Sequence, residues 1–305
     1  MNKKIQPIIG KSPSIQAVLR TADLIAGTDV PVLIKGKTGT GKDLFANRIH
    51  QQSKRKQGAL IKVNCASLSD DLTGEMLFTK KGLIEKAQNG TLYLDGVSRL
   101  IPPLQEKILA FIETLSLSFS TGSKTKNYNV RIIASTNTSL LADVEAGKFR
   151  ADLYYRLNVI PLELPDLSER DGDIQLLMDS FMRDLVHTHH QRSPEFSHAA
   201  MQLILKHSWP GNVRELYNFC ERMFALFSEK VIDVANLPSE LRLQFKPKSS
   251  PFSLPESGIK LEALEVDFIL QALNTTGGNK SQAARLLGLT RDTFLYRLKK
   301  YSIDV

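Results

Sequence analysis

The stretch GKTGTGKD, residues 36–43, has the residue types and spacing that bind phosphate. It matches the pattern G-x-x-x-x-G-K and lies between an apolar run and a helical pattern. Gly36, Gly39 and Gly41, with Lys37, Thr38 and Thr40 between them, let the backbone curl so that its N–H groups face phosphate oxygens. Lys42 adds a point charge for the β- and γ-phosphates, and the helix N-terminus behind it supplies a partial positive charge. Asp43 stands where the general pattern has a hydroxyl that ligands Mg2+. The competing reading is a Gly- and Thr-rich turn; the strand–loop–helix setting favours the phosphate loop.

LYLD, residues 92–95, reads as a buried strand that delivers Asp95 toward Mg2+. An aspartate at a strand end is common, but one about 50 residues after a phosphate loop is informative. Gly96 follows it, where a hydrolytic site needs an acid to polarise water.

These residues require a strand–loop–helix scaffold, and the chain supplies one. VPVLIKG (30–36), ALIKVNC (59–65), GTLYLD (90–95), NVRIIAST (129–136) and NVIPLELP (158–165) read as strands. GKDLFANRIHQQS (41–53) has helical spacing with Leu44, Ala46 and Ile49 inward. The alternation predicts an α/β fold with a parallel sheet over residues 1–170. A helical region follows over 171–242, then a Pro-, Ser-, Gly- and Lys-rich linker over 243–258 and a helical unit over 259–305.

The 305 residues are 42% hydrophobic and 24% charged, ordinary globular values. The net charge of +8 leans toward an anionic partner. No apolar run approaches the roughly 18 residues that span a bilayer, and the start MNKKIQPIIG lacks a secretory core. The cytoplasm is expected, with no membrane partner. Cys65 and Cys220 make neither a disulfide framework nor a metal site and read as small core residues. HTHH (187–190) lacks a matching ligand cluster, and Trp209 before Pro210 reads as packing.

GGNKSQAARLLGLTRDTFLYRLKKYSI (277–303) reads as helix, tight turn, helix. Asn279 or Ser281 caps the first helix. Ala283, Ala284 and Leu287 face inward, Gly288 makes the turn, Thr290 starts the second helix, and Phe294 and Leu298 pack it down. Residues 279–305 carry six basic and two acidic side chains. Arg291, Asp292, Thr293 and Arg297 lie early or outward on the second helix, within reach of DNA base edges. Lys299 and Lys300 suit phosphates, and Lys280, Ser281 and Thr290 complete the candidate DNA face.

Taken in this order, the motifs resemble the AAA+ domain of bacterial enhancer-binding proteins, the sigma-54-dependent activators, over nearly the whole chain. In that family the phosphate loop commonly ends in Gly-Lys and an acid, as at Asp43. VNCASL (63–68) is similar to a segment whose asparagine, Asn64 here, sits near the γ-phosphate. ASTN (134–137) resembles the first sensor, with Asn137 reaching the same region. In GKFRADLYYRLNV (147–159), Arg150 and Arg156 match arginine fingers that reach a neighbouring subunit's nucleotide. WPGNVREL (209–216) resembles the second sensor, with Arg214 on the lid. The C-terminal unit resembles a Fis-type helix-turn-helix. The resemblance implies an AAA+ sheet with a helical lid, ATP and Mg2+ as cofactors with Asp95 the metal ligand, promoter DNA and RNA polymerase as partners, and a homo-oligomer, hexamer or dimer.

Three departures qualify it. About seven residues precede Ile8, so no receiver domain is expected ahead of the AAA+ module, and control falls to expression, nucleotide or a partner. EMLFTKKGLIEKAQNGTLYLD (75–95) runs from Phe78 through Lys80 and Lys81 to a helix, without the family's Gly-Ala-Phe-Thr-Gly-Ala loop that contacts sigma-54. The aromatic-amino-acid repressor branch also lacks this loop and shares TGTGKDLFA and KKG, a partial likeness. Gly96 replaces the family's catalytic glutamate, and Arg99 replaces the next acid. The expectation is a DNA-binding transcription regulator that retains ATP through Lys42 and Asp95 but hydrolyses it slowly or not at all. The alternatives are an active sigma-54-dependent ATPase, or a regulatory subunit of a ring mixed with a complete AAA+ paralogue.

Overall fold

The structure is a computed structural model that describes residues 7–68, 76–79, 81–117, 126–243, 258 and 260–303. The chain forms two compact units, Met1–Gln244 and Phe245–Val305. Most of the expected linker lies outside the described residues.

The first unit begins with α1 (Pro13–Ala26), whose start is set by Ser12 as N-cap and Pro13 in the first turn. β1 (Val32–Lys35) follows, then α2 (Lys42–Gln51), β2 (Leu60–Asn64), a helical turn α3 (76–78), α4 (Leu83–Lys86), β3 (Thr91–Asp95) and α5 (Pro102–Thr114). β4 (Ser116–Leu117) and β5 (Lys126–Asn127) form a small antiparallel pair that the sequence patterns do not announce. β6 (Arg131–Thr136), α6 (Leu140–Glu145), α7 (Ala151–Leu157) and β7 (Ile160–Glu163) complete the α/β part.

The sheet has five strands in the order β2-β3-β6-β1-β7, every pair parallel. Its central strands β3, β6 and β1 are buried along nearly their whole length because helices cover both faces. One face carries Leu33, Leu92, Leu94 and Ala134 against Leu104, Ile108 and Leu153. The other carries Ile34, Tyr93 and Ile133 against Ile15, Leu19, Phe45 and Ile49. In α2, Phe45, Ala46 and Ile49 are buried and Leu44 is half-buried, so the inward stripe is shifted by one residue from the expected one. Arg131, in the buried strand β6, donates through its two terminal nitrogens to the Ala26 and Ile25 carbonyls at the end of α1, while its buried Nε has no partner among the described residues.

The register decides where chemistry can occur. It pairs Asn64 with Asp95 and Asp95 with Ser135, a row of polar residues at the carboxyl ends of β2, β3 and β6. β1 ends beside them at Lys35 and leads into the phosphate loop. Ligands of open parallel sheets bind at this edge.

The lid consists of α8 (Asp173–His189), α9 (His198–Lys206), α10 (Asn212–Phe227) and α11 (Ser239–Leu243). A two-residue pair, β8 (Glu195–Phe196) with β9 (Val231–Ile232), ties it together. Trp209, Phe219, Met178 and Leu203 are among its core residues. At its start Arg170 and Asp173 form a buried ion pair at 2.9 Å. Asp173 also accepts bonds from the Lys11 and Ser12 amides and the Ser12 hydroxyl, which fastens the N-terminal segment to the lid.

The second unit contains α12 (Leu261–Thr275), α13 (Lys280–Leu286) and α14 (Arg291–Lys300) around Ile269, Leu273, Ala284, Phe294 and Leu298. Gly288 takes a φ of +66° between α13 and α14, a turn that suits glycine. Asn279 caps α13 and Thr290 caps α14 through side-chain bonds to backbone N–H groups.

Candidate nucleotide site and DNA-binding face

The phosphate loop curls as its glycines require. Gly39 and Gly41 take φ of +82° and +98°, and Gly41 precedes α2 with no side-chain cap. The positive end of α2 is therefore open toward the loop. The buried Thr40 hydroxyl donates to the Lys37 carbonyl at 2.8 Å and pins the curl. Lys42 Nζ folds into the loop, 2.7 Å from the Gly36 carbonyl and 2.9 Å from that of Lys37. Burial pushes its pKa down, opposed by Asp95 and Asp43. The Lys37 ammonium is ion-paired with Asp166, at the junction of sheet and lid.

The lid touches the loop directly. Asn212 Nδ2 donates to the Thr38 carbonyl at 3.1 Å, and the Val213 amide donates to the Gly39 carbonyl at 3.1 Å. A Cβ on Gly39 would lie 2.0 Å from the Gly211 carbonyl oxygen, so glycine is needed for the contact as well as for the turn. Arg214 is exposed on the same turn, and its charge is one of those acting on Lys42. The sequence pointed to Arg214; the buried Asn212 beside it makes the contact, in a left-handed conformation (φ +53°) that asparagine tolerates.

Behind the loop, Asp43 and Asp95 converge. Lys62 Nζ lies 2.6 Å from Asp43 Oδ2 and 2.9 Å from Asp95 Oδ2. The Tyr93 hydroxyl is 2.9 Å from Asp43 Oδ1, 3.3 Å from Asp95 Oδ1 and 3.2 Å from Ser135 Oγ. Ser135 donates to Asp95 Oδ1 at 2.7 Å. Partial burial works against the Asp95 carboxylate, but Lys62, Ser135 and Tyr93 together hold its pKa below the ordinary value. Burial likewise works against the Lys62 ammonium, and the bonds from Asp43 and Asp95 hold its pKa above the ordinary one. Burial pushes the Tyr93 phenol far up, so it stays a donor. Two carboxylates within bonding distance of one ammonium form a donor set that fits a cation, so Asp43 and Asp95 suit Mg2+. Tyr93, Lys62 and Ser135, like Asn212 of the lid, are residues that sequence reasoning missed.

Asn64 and Asn137 follow the same sheet edge. The Asn64 side chain accepts from the Ala66 amide at 3.1 Å, while Asn137 is exposed just past β6. Cys65 is buried and its thiol is pushed up to about 12 by burial, which makes it unreactive.

Gly96 is one residue from this network. Its φ of +77° and ψ of +51° are left-handed, and its amide donates to the Ser135 carbonyl at 3.0 Å and to Ser135 Oγ at 3.2 Å. A Cβ there would meet nothing within 4 Å, and Arg99 ends the short turn that follows. Ahead of α4, the Gly82 amide donates to the Thr79 carbonyl at 2.9 Å. Gly82 packs onto the Met76 and Leu77 carbonyls, which leaves no room for a Cβ; Glu75 and Lys80 lie outside the described residues.

Arg150 is bound two-pronged to Asp152 on its own turn, at 2.8 and 3.1 Å. Arg156 is exposed on α7 beside Tyr155 and Val159, which are 71% and 50% exposed. Among the described residues it has no ion-pair partner.

On the second unit, Arg291, Asp292 and Lys299 are exposed on α14, with Thr293 partly covered and bonded to the cap Thr290. Lys280 and Ser281 are half-buried at the start of α13. Arg297 differs from the expectation of an outward base reader: it is ion-paired with Glu265 of α12. Lys300 lies 3.7 Å from Glu262 and 3.2 Å from the Tyr301 hydroxyl.

Comparison with known proteins agrees with this geometry. Residues 8–163 match the sigma-54 interaction domain, 168–252 the AAA+ ATPase lid domain and 260–301 the Fis family of bacterial regulatory proteins. Transcriptional regulatory protein ZraR of Escherichia coli (strain K12) is 37% identical, over 96% of this chain and 68% of ZraR. Nitrogen fixation protein AnfA of Azotobacter vinelandii is 37% identical, over 97% of this chain and 58% of AnfA. The crystal structure of NtrX from Brucella abortus in complex with ADP is similar at a TM-score of 0.73 and 30% identity, covering 98% of this chain and 69% of NtrX. Its complex with ATP gives 0.72 and 30%, over 97% of this chain and 69% of that one. A parallel-sheet phosphate-loop unit with a helical lid, followed by a helix-turn-helix, defines an AAA+ transcriptional regulator. The chain belongs to the sigma-54 interaction domain family. No helix among the described residues is long and apolar enough to cross a membrane.

Proposed function

We propose that this protein is a sequence-specific DNA-binding regulator that holds ATP with Mg2+ in its AAA+ domain, hydrolyses it slowly or not at all, and acts without remodelling the sigma-54 polymerase. The observation that carries this reading is the contrast across one peptide bond. Asp95 sits in a complete network of hydrogen bonds, while Gly96 offers only a left-handed backbone where a base would have to stand. The hydrogen bond from the Gly82 amide to the Thr79 carbonyl, three residues apart in EMLFTKKGLIEK, supports the loss of the sigma-54 contact loop.

In this reading Gly36, Lys37, Thr38, Gly39, Thr40 and Gly41 cradle the phosphates, Lys42 neutralises them, and Asp43 and Asp95 hold Mg2+. Bound Mg2+ would neutralise charge between the β- and γ-phosphates. Asn64, Asn137 and Arg214 sense the γ-phosphate end. Occupancy by ATP is supported by the complexes of NtrX with ADP and ATP. The α/β part (1–170) and lid (171–242) hold the nucleotide, and 259–305, reached through the linker 243–258, binds promoter DNA in the cytoplasm. Arg291 and Thr293 face bases, Lys280 and Lys299 face phosphates, and RNA polymerase is the downstream partner.

Exposed Arg156 with Tyr155 and Val159 favours assembly through α7, as a homo-oligomer or in a ring with an AAA+ paralogue whose nucleotide Arg150 and Arg156 would reach in trans. Co-purification with such a paralogue separates the two. The main test is steady-state ATP hydrolysis alongside nucleotide binding by the purified protein. Binding with turnover near background is expected; brisk turnover would mean that another residue supplies the base, and the motor reading would return.

A further inference from the structure

Lys62 is the charged group in the site to which neither the phosphate loop nor the DNA face gives a role. It lies on β2, two residues before Asn64, and reaches across to the start of α2 and the end of β3. Its ammonium touches Asp43 at 2.6 Å and Asp95 at 2.9 Å, distances typical of charge-assisted hydrogen bonds. The Tyr93 ring, 5.6 Å away, and the Tyr93 hydroxyl fix the assembly from beneath.

We propose that Lys62 is a resident counter-ion of the nucleotide site: it neutralises Asp43 and Asp95 so that ATP binds with little need of a divalent cation, and it must move aside when Mg2+ enters. The inference rests on the ATP-binding reading above. Its logic is charge balance. Asp43 and Asp95 carry two negative charges, and Lys42 and Lys62 carry two positive ones. With Lys62 these four side chains sum to zero; without it, one carboxylate charge among them is left facing the phosphates. A divalent ion bound to both carboxylates needs oxygen contacts of about 2.0–2.1 Å, and the ammonium stands where those bonds would converge. The two cations compete for one place.

The Lys62 side chain is 42% exposed, so shortening it removes a charge without opening a core. The test uses the full chain, its Lys62→Met and Lys62→Arg variants, and circular dichroism to confirm the fold. ATP affinity is measured by calorimetry in excess EDTA and in saturating magnesium. The unmodified protein is expected to bind ATP with less than about a threefold difference between the two conditions. Lys62→Met should lose about tenfold or more in EDTA and recover in magnesium, and Lys62→Arg should behave like the unmodified protein. Direct Mn2+ binding without nucleotide, followed by electron paramagnetic resonance, provides a second readout. Lys62→Met should take up Mn2+ and the unmodified protein should not. Equal magnesium dependence of ATP binding in the unmodified protein and Lys62→Met, or Mn2+ uptake by both, would overturn the role of Lys62 alone. No ATP binding by the unmodified protein in either condition would overturn the nucleotide reading and this inference with it.

Discussion

The two units of the chain treat their functional charges in opposite ways. In the AAA+ unit most already hold a partner from the same chain. Lys42 is on the loop carbonyls, Lys62 lies between Asp43 and Asp95, Lys37 is on Asp166 and Arg150 is on Asp152. In the C-terminal unit, Arg291 and Lys299 extend into solvent, while Arg297 and Lys300 are drawn back to the carboxylates of α12. A nucleotide must exchange internal bonds for new ones, so its net gain is small relative to the number of contacts it makes. DNA approaching Arg291 and Lys299 would meet solvent-exposed charges and release its own counterions. On the proposed reading, the first unit would exchange bonds when ATP binds, and the second would add an electrostatic contact to DNA.

The largest effect that sharpens this contrast is on stability. Arg170→Met leaves the Asp173 carboxylate buried without its cation, which should cost about 3–5 kcal/mol. Trp209, the single tryptophan, lies in the lid core, so its fluorescence follows the first unit alone. Its denaturation midpoint should fall sharply while the helical signal of the second unit persists; a concerted shift of both signals would break the comparison. The same probe should show acid sensitivity. Burial works against the Asp173 carboxylate, but the Lys11 amide, Arg170 and Ser12 hold its pKa below the ordinary value. A carboxyl lowered in the folded state stabilises it above the unfolded pKa and loses that stabilisation as pH falls through the folded value. The Trp209 transition should therefore weaken progressively below about pH 4.

Next in size are the two ligands. Lys42→Ala removes a charged donor worth about 1.5–3 kcal/mol, so ATP affinity should fall about 10–100-fold by calorimetry, with DNA binding by the second unit unchanged. For the second unit, Arg291→Ala should cost about 1–3 kcal/mol and relax base preference at one position. Lys299→Ala should weaken all sequences alike and lower the salt slope by about one. With about four phosphate contacts, DNA affinity should drop on the order of 10² between 50 and 200 mM salt. A nucleotide site more salt-sensitive than the DNA face would reverse the contrast between the units.

Legibility divides along the same line. The five main strands, the phosphate loop, both helix caps of the second unit and its tight turn follow from patterns within a few residues of each other. Such local signals are what periodicity and capping rules detect. The sheet order and the Lys62 network do not, because positions 43, 62 and 95 meet only through the register of β2 on β3. Arg131 looks like an exposed charge in NVRIIAST, yet it serves as a buried donor to the end of α1. Arg297 lies outward by helical spacing and is claimed by Glu265, 32 residues earlier in the chain, a pairing no local window contains.

The smallest effect tests the least conspicuous feature, the backbone at Gly96. Gly96→Ala meets no clash, since nothing lies within 4 Å of the added Cβ. It must still hold a left-handed conformation, which costs an ordinary L-residue about 1–2 kcal/mol. Gly96→Asn should cost less, because asparagine visits that region more readily. ATP affinity should be unchanged in both, since the Asp95 network does not use a side chain at position 96. Gly96→Glu faces the same choice in sharper form. Either the glutamate accepts the left-handed backbone and points into open space, or the peptide turns over and breaks the amide bonds to Ser135 that help hold Asp95. If the unmodified protein turns ATP over slowly, as proposed, a glutamate variant that is equally slow would assign the slowness to the backbone of this turn as well as to the side chain at position 96. Brisk turnover gained by that one change would show that the backbone adapts freely and that a carboxylate there is sufficient.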